Sequence, residues 1–177
     1  MNSLKGKHIR MRAAEPEDLD VLYKWENDTS IWQVSNTIEP FSRYILKQYL
    51  ENAPQDIYEK RQLRLMIDTL DGTTVGTIDL FDFEPYHLRA AVGILIGEEH
   101  RGRHYASEAI EVLIRYAFKM IQLHQLYCNI SASNEASLVL FKHAGFEITG
   151  VRKDWIKTQD GWEDEYFLQL INKGKAV

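Results

Sequence analysis

The chain has 177 residues and a mass of 20.7 kDa, with 45% hydrophobic residues, enough to bury a core without disulfides or metals. Its 26 acidic against 21 basic residues leave a net charge of -5, which repels nucleic-acid phosphates and mildly attracts cationic ligands. The lone Cys128 excludes an internal disulfide, no Cys/His cluster has metal-ligand spacing, and no apolar run approaches the roughly 20 residues that span a bilayer. The expectation is one soluble domain over residues 1–177 in a reducing cytoplasm, with no metal, no nucleic-acid partner and no membrane partner.

In chain order, the alternation of Ile9, Met11 and Ala13 predicts a first strand, and Glu15-Pro16-Glu17-Asp18 opens a helix carrying Leu19, Leu22, Tyr23 and Glu26. A second helix is predicted over 42–50, ending before Pro54. Residues 61–68 and 74–83 flank Asp71-Gly72 and read as a β-hairpin. A further strand over 89–96 is interrupted by Gly93, where a bulge or a close ligand is expected. The best-defined helix covers 105–122, with Ala106, Ala109, Ile110, Leu113, Ile114, Ala117, Phe118 and Ile121 on one face. A strand over 126–131 follows, then a helix over 134–143 with Ser133 as its cap and Gly145 at its end, then two strands around Asp160-Gly161. Hairpins mixed with one strand-helix-strand crossover imply a mixed sheet with helices on both faces.

The informative segment is Ile94-Leu95-Ile96, a short acidic loop Gly97-Glu98-Glu99-His100, then Arg101-Gly102-Arg103-His104-Tyr105-Ala106-Ser107 leading into the long helix. Unpaired backbone N–H groups at a helix start bind phosphate, and Arg101 and Arg103 add charge. A second segment, Asn134-Glu135-Ala136-Ser137 through Phe141-Lys142-His143-Ala144-Gly145-Phe146, follows at fixed separation. No Gly-x-Gly-x-x-Gly or Gly-Lys-Ser/Thr loop occurs, which argues against a nucleotide-binding module.

These two segments resemble the acetyl-CoA signature and the Asn-x-x-(Ala/Ser) helix of the GCN5-related N-acetyltransferases, with His104 standing where that family has glycine. The likeness extends to Ile9-Arg10-Met11-Arg12 and Glu17-Asp18-Leu19, and is nearest to bacterial spermidine and ribosomal-protein N-terminal acetyltransferases. It implies an α+β fold: a central mixed, mostly antiparallel twisted sheet of about seven strands, with about four helices on both faces. It further implies acetyl-CoA as co-substrate and a homo-oligomer. Ile94, Leu95 and Ile96 would contact pantetheine, Arg101, Gly102, Arg103, His104, Tyr105, Ala106 and Ser107 the phosphates, and Asn134, Ser137 and Phe141 the rest of the cofactor.

The expected reaction is acetyl transfer to a primary amine. A polyamine such as spermidine is the first reading, and the alternatives are a protein N-terminus or a non-catalytic acyl-CoA-binding protein. A lysine-like amine with a pKa of about 10.4 is neutral in roughly one molecule per thousand at pH 7, so a base is needed. The family often places an acid on the fourth strand, where this chain has Ala90, Ala91, Val92 and Gly93. Glu39 and Asp79 are the leading candidates, Asp82 is a third, and Glu84 reads as surface. The family's usual tyrosine acid is Phe141 here; Tyr105 and Ser137 are hydroxyls that can stand in, though packing and cofactor contact are their plainer readings. Trp25, Trp32, Glu39, Tyr86, Trp155 and residues 162–165 are candidates for a cation-binding pocket.

Overall fold

A computed structural model describes residues 3–35, 37–51 and 56–174. Strand β1 (Ile9–Ala13) leads through a 3-10 turn (Pro16–Asp18) into α1 (Leu19–Glu26), followed by α2 (Thr29–Ser35), α3 (Arg43–Glu51) and α4 (Ile57–Lys60). Then come β2 (Leu63–Thr69), β3 (Thr74–Glu84), β4 (Arg89–Ile96), a second 3-10 turn (Glu98–His100), α5 (Tyr105–Lys119), β5 (Gln125–Ser131), α6 (Glu135–His143), β6 (Glu147–Thr158) and β7 (Gly161–Ile171). The seven strands form one sheet in the order β1-β2-β3-β4-β5-β7-β6, with β4 and β5 parallel and every other pair antiparallel. This is the mixed, mostly antiparallel sheet expected from sequence.

Strand alternation sorts the buried residues between two layers. Leu65 and Ile67 of β2 join Ile78, Leu80, Val92, Leu126 and Leu168 in the larger core, which α5 covers with Ala109, Ile110, Val112, Leu113 and Ala117. Met66, between them, points to the other face and packs with Leu22 and Trp25 of α1, Leu50 of α3 and Leu95 of β4. Helices therefore cover both faces, but α1 and α3 cover the second face only over the β1–β4 half.

Several sequence expectations are corrected in detail. Six α-helices rather than about four are present among the described residues. The additional ones, α2 and α4, are only 7 and 4 residues long, too short for an apolar stripe to register. Asn134 rather than Ser133 caps α6, its side-chain oxygen accepting the Ser137 N–H at 3.1 Å. Helix α5 stops at Lys119, and Gln122 lies outside it with φ 62. Gly93 is not bulged: it pairs in register with Asp79, and the irregularity lies on β3 between Phe81 and Glu84, where Asp82 has φ 47. No helix among the described residues is long and apolar enough to cross a membrane.

Candidate active site

The sheet opens at its one parallel junction. β4 and β5 pair only through Arg89, Ala90 and Ala91 with Gln125, Leu126 and Tyr127, so residues 92–96 have no strand beside them on that edge. On that edge the Ile96 carbonyl accepts from Arg101 Nε at 3.2 Å, and the other backbone groups make no hydrogen bond among the described residues, an arrangement that can accept an extended ligand as a further strand.

At the open end of this fork the chain turns into α5. A cavity of about 220 Å³ is lined by Ile96, Arg101, Gly102, His104, Ala106 and Ser107, so six of the sequence-predicted cofactor residues do converge. His100 and Leu140 complete the wall. The amides of residues 102–107 donate to no backbone or side-chain acceptor among the described residues. Gly102 (φ 74) and His104 (φ 62) both sit in the left-handed region. His104 thus adopts the backbone that glycine would take without strain, and its carbonyl accepts the Ser107 hydroxyl at 2.8 Å. Unpaired amides at the start of a 15-residue helix, beside Arg101 and Arg103, have the chemistry to hold a diphosphate. The residues present therefore fit the phosphates and the extended arm of a coenzyme A thioester.

The remaining predicted cofactor residues lie elsewhere. Arg103 is exposed and outside the cavity wall, and Tyr105 is half-buried against the larger core. Ile94 packs into that core and Leu95 into the smaller one, so the two residues face opposite sides of β4. Asn134 and Ser137 share the α6 cap, and the Asn134 amide nitrogen donates to no acceptor among the described residues. Phe141 is 3% exposed and packs edge-on against Phe146 at 5.1 Å, so it presents almost no surface to a ligand; Leu140, its neighbour, lines the cavity instead.

On the second face the candidate bases have contrasting surroundings. Asp79 is held by both nitrogen arms of Arg64, at 2.8 and 2.9 Å, and Arg64 also reaches Glu26 at 2.6 Å. Burial works against the Arg64 charge, but the charge and hydrogen bonds of Asp79 outweigh it and hold the guanidinium above its usual pKa. The guanidinium also lies over the Tyr49 ring, 5.5 Å from its centre. Glu39 is exposed between α2 and α3 and makes no hydrogen bond or ion pair among the described residues. Burial pushes the Tyr127 hydroxyl pKa up and the Asp82 charge adds to it, so Tyr127 stays protonated at neutral pH. Burial also pushes the Cys128 thiol up to about 12, which removes it as a thiolate nucleophile at neutral pH.

The sequence missed most of this face. Cross-strand partners share a face, which groups Tyr127 and Asn129 of β5 with Phe167 and Glu165 of β7 and Arg152 of β6 beside the fork. Arg152 binds the buried Glu165 at 2.6 Å and lies over the Trp155 ring. Of the predicted aromatic cage, Trp25 is in the smaller core, Trp32 donates to the Glu26 carbonyl, Tyr86 meets the His87 ring edge-on in the β3–β4 turn, and Trp155 and Trp162 stand exposed on the β6–β7 hairpin. Alternation along β7 would have paired Glu165 with Phe167, but nothing local announces Arg152 as their neighbour.

A mixed sheet that forks beside a cradle of free amides at a helix start is the frame of an acyl-CoA-dependent transferase, and residues 8–147 match the acetyltransferase (GNAT) domain. The chain belongs to that family and is an N-acetyltransferase. It is 25% identical over 142 residues to spermidine N(1)-acetyltransferase of Escherichia coli K12, covering 80% of this chain and 74% of the relative. A probable N-acetyltransferase of Bacillus subtilis, YjcK, is 28% identical over 179 residues, covering 96% and 97%. The Vibrio cholerae spermidine N-acetyltransferase, solved with CoA and spermine, superposes with a TM-score of 0.84 at 21% identity, covering 93% of this chain and 95% of that one.

Proposed function

We propose that this N-acetyltransferase takes acetyl-CoA as donor and a primary amine as acceptor, with a spermidine-like polyamine as the first acceptor. The observation that carries the donor is the fork continuous with the unpaired amides of residues 102–107. The acceptor rests on the spermidine acetyltransferases among its relatives. A cytoplasmic homo-oligomer of one such domain is part of the same proposal.

Acetyl-CoA supplies an acyl group activated as a thioester. In this reading the loop amides and Arg101 hold the diphosphate, the free edge of β4 aligns the pantetheine, and the Asn134 amide donates to the same arm. A β4 N–H near Leu95 receives the carbonyl oxygen as negative charge develops on it. The amine nitrogen forms the new C–N bond as the C–S bond breaks; the amine loses one proton, and the thiolate takes one from water. A thiol of pKa about 8.5 leaves without an acid, so the Phe141 position does not block turnover. Glu39 and Asp79 remain the proposed bases. Asp79, clamped by Arg64, suits relay through a water molecule or positioning of the acceptor better than direct proton abstraction.

A second reading, a protein N-terminus as acceptor, is favoured by one observation: Asp79, Glu26 and Glu165 already pair with arginines, leaving less free negative charge for a polycation. The test is continuous thiol release from acetyl-CoA with spermidine, spermine, diamines and peptides bearing free N-termini. Saturable release with spermidine is expected. Release with peptides alone selects the second reading, and silence across the panel overturns both.

A further inference from the structure

Coenzyme A carries two separate phosphate groups, a diphosphate and a phosphomonoester on the ribose 3′ oxygen, which together bring about three to four negative charges at neutral pH. The cavity at the start of α5 answers only part of that charge, because Arg101 is the single lysine or arginine in its wall. Arg103 is exposed and stays out of the wall, although Gly102 and His104 on either side of it both line the cavity. Its backbone therefore runs along the rim of the diphosphate site while its side chain is free to serve something outside that site.

In this acidic chain most arginines pair with a carboxylate, as Arg12, Arg43, Arg61, Arg64 and Arg152 do. Arg103 makes no hydrogen bond or ion pair among the described residues. The acids nearest to it along the chain are engaged elsewhere: Glu99 accepts from Lys24 at 2.8 Å, and Glu108 accepts the His8 N–H at 2.7 Å. Glu98 pairs with neither loop arginine among the described residues. Arg101 is tethered to the wall by its Nε, which donates to the Ile96 carbonyl at 3.2 Å, whereas Arg103 has no such tether.

We infer that Arg103 binds the ribose 3′-phosphate of the donor, so that the enzyme discriminates coenzyme A from its 3′-dephospho form. The reach agrees with this. About six bonds separate the nearer phosphorus of the diphosphate from the 3′ phosphorus, at most roughly 7 Å, and about five bonds, roughly 6 Å, separate an arginine Cα from its guanidinium carbon. A side chain rooted at the rim of the diphosphate site thus covers the distance to the second phosphate, and its planar fork matches two phosphate oxygens at once. The inference rests on acetyl-CoA as donor and deepens that reading: Arg101 and the amides hold the diphosphate, and Arg103 reads the group that marks the cofactor as coenzyme A.

Titration calorimetry of the intact protein with CoA and with 3′-dephospho-CoA reads this without any turnover. CoA is expected to bind about three- to tenfold tighter, and the preference should shrink towards unity at about 0.5 M salt, where an exposed charge pair is screened. Arg103→Gln should abolish the preference by weakening CoA while affecting 3′-dephospho-CoA much less. Arg103→Lys, which keeps the charge and loses the fork, should retain part of it, with unchanged melting temperatures showing that both variants are folded. Equal affinities in the intact protein overturn the inference and leave the donor reading standing. So does an Arg103→Gln variant that weakens both ligands alike, which would assign the side chain to the diphosphate. Binding of neither form removes the acetyl-CoA reading and the inference with it, a pattern distinct from equal binding.

Discussion

The two ends of the site are built by different means. The cradle at the start of α5 is one contiguous stretch whose ligands are backbone N–H groups, so only glycine-like dihedrals and a helix start are needed to make it. The second face draws Glu26 from α1, Tyr49 from α3, Arg64 from β2 and Asp79 from β3 into one partly buried charge cluster. Local geometry makes the first end tolerant of side-chain change, whereas the second depends on each partner being present.

The largest test of that contrast is Arg64→Met. It leaves Asp79 and Glu26 partly buried without their cation, and should cost about 3–5 kcal/mol of stability. Thermal unfolding should then fall by roughly 6–20 °C for a chain of this size. A loss under 2 °C would show that the cluster is solvated and undo the contrast. At the other end, Gly102→Val places a β-branched residue at φ 74, where its Cβ meets no neighbour but its backbone is strained, which shifts the loop out of this conformation. It should raise KM for acetyl-CoA about tenfold or more with kcat for the bound enzyme little changed; an unaffected KM would remove the amides from phosphate binding.

A smaller effect is expected in acid, at a second arginine cluster on the same face. Burial raises the Asp18 pKa, but the paired Arg12 guanidinium and the Glu15 N–H outweigh it and hold the carboxyl below its ordinary 3.8. A depressed carboxylate stabilises the fold fully above its unfolded value, and that stability is lost as pH falls through the lower folded value. Stability should thus be flat across neutral pH and fall below about 4, and Asp18→Asn should flatten that acid limb in urea titrations. The smallest effect belongs to His104→Gly, which relieves a non-glycine residue at φ 62 and should stabilise by roughly 0.5–1 kcal/mol. A destabilised variant would mean that the imidazole packs usefully against the cavity wall.

How much was legible in the sequence follows the same division. Arg101 to Ser107 were readable because spacing, charge and helix periodicity all lie within one segment, and the structure gathers most of them around one cavity. The mixed character of the sheet was readable because Asp71-Gly72 and Asp160-Gly161 mark hairpins and a single helix joins β4 to β5, but the insertion of β7 between β5 and β6 was not. What escaped depended on separated partners. Asp79 looked like a free carboxylate because Arg64 lies 15 residues away on the neighbouring strand. Phe141 was assigned to the cofactor by its position after the Asn motif, yet the turn of α6 points Leu140 to the cavity and Phe141 into the core. Gly93 suggested a bulge because a strand glycine usually marks one, but here it makes room for the Phe81 ring across an unbroken register.

The three-rung junction between β4 and β5 has a mechanical consequence. Strands β1–β4 and β5–β7 are two stiff plates joined at one corner by those rungs and spanned by α5 through the core, so the gap between them is the compliant part of the sheet. A thioester arm seated there, as proposed, would substitute for the missing rungs and splint the plates together, holding β3 and the Tyr127 side of β5 at one separation. If acetyl-CoA is the donor, as proposed, donor-first binding is the expected order, and slower amide hydrogen exchange over residues 92–96 on addition of CoA alone is the measurement that checks it.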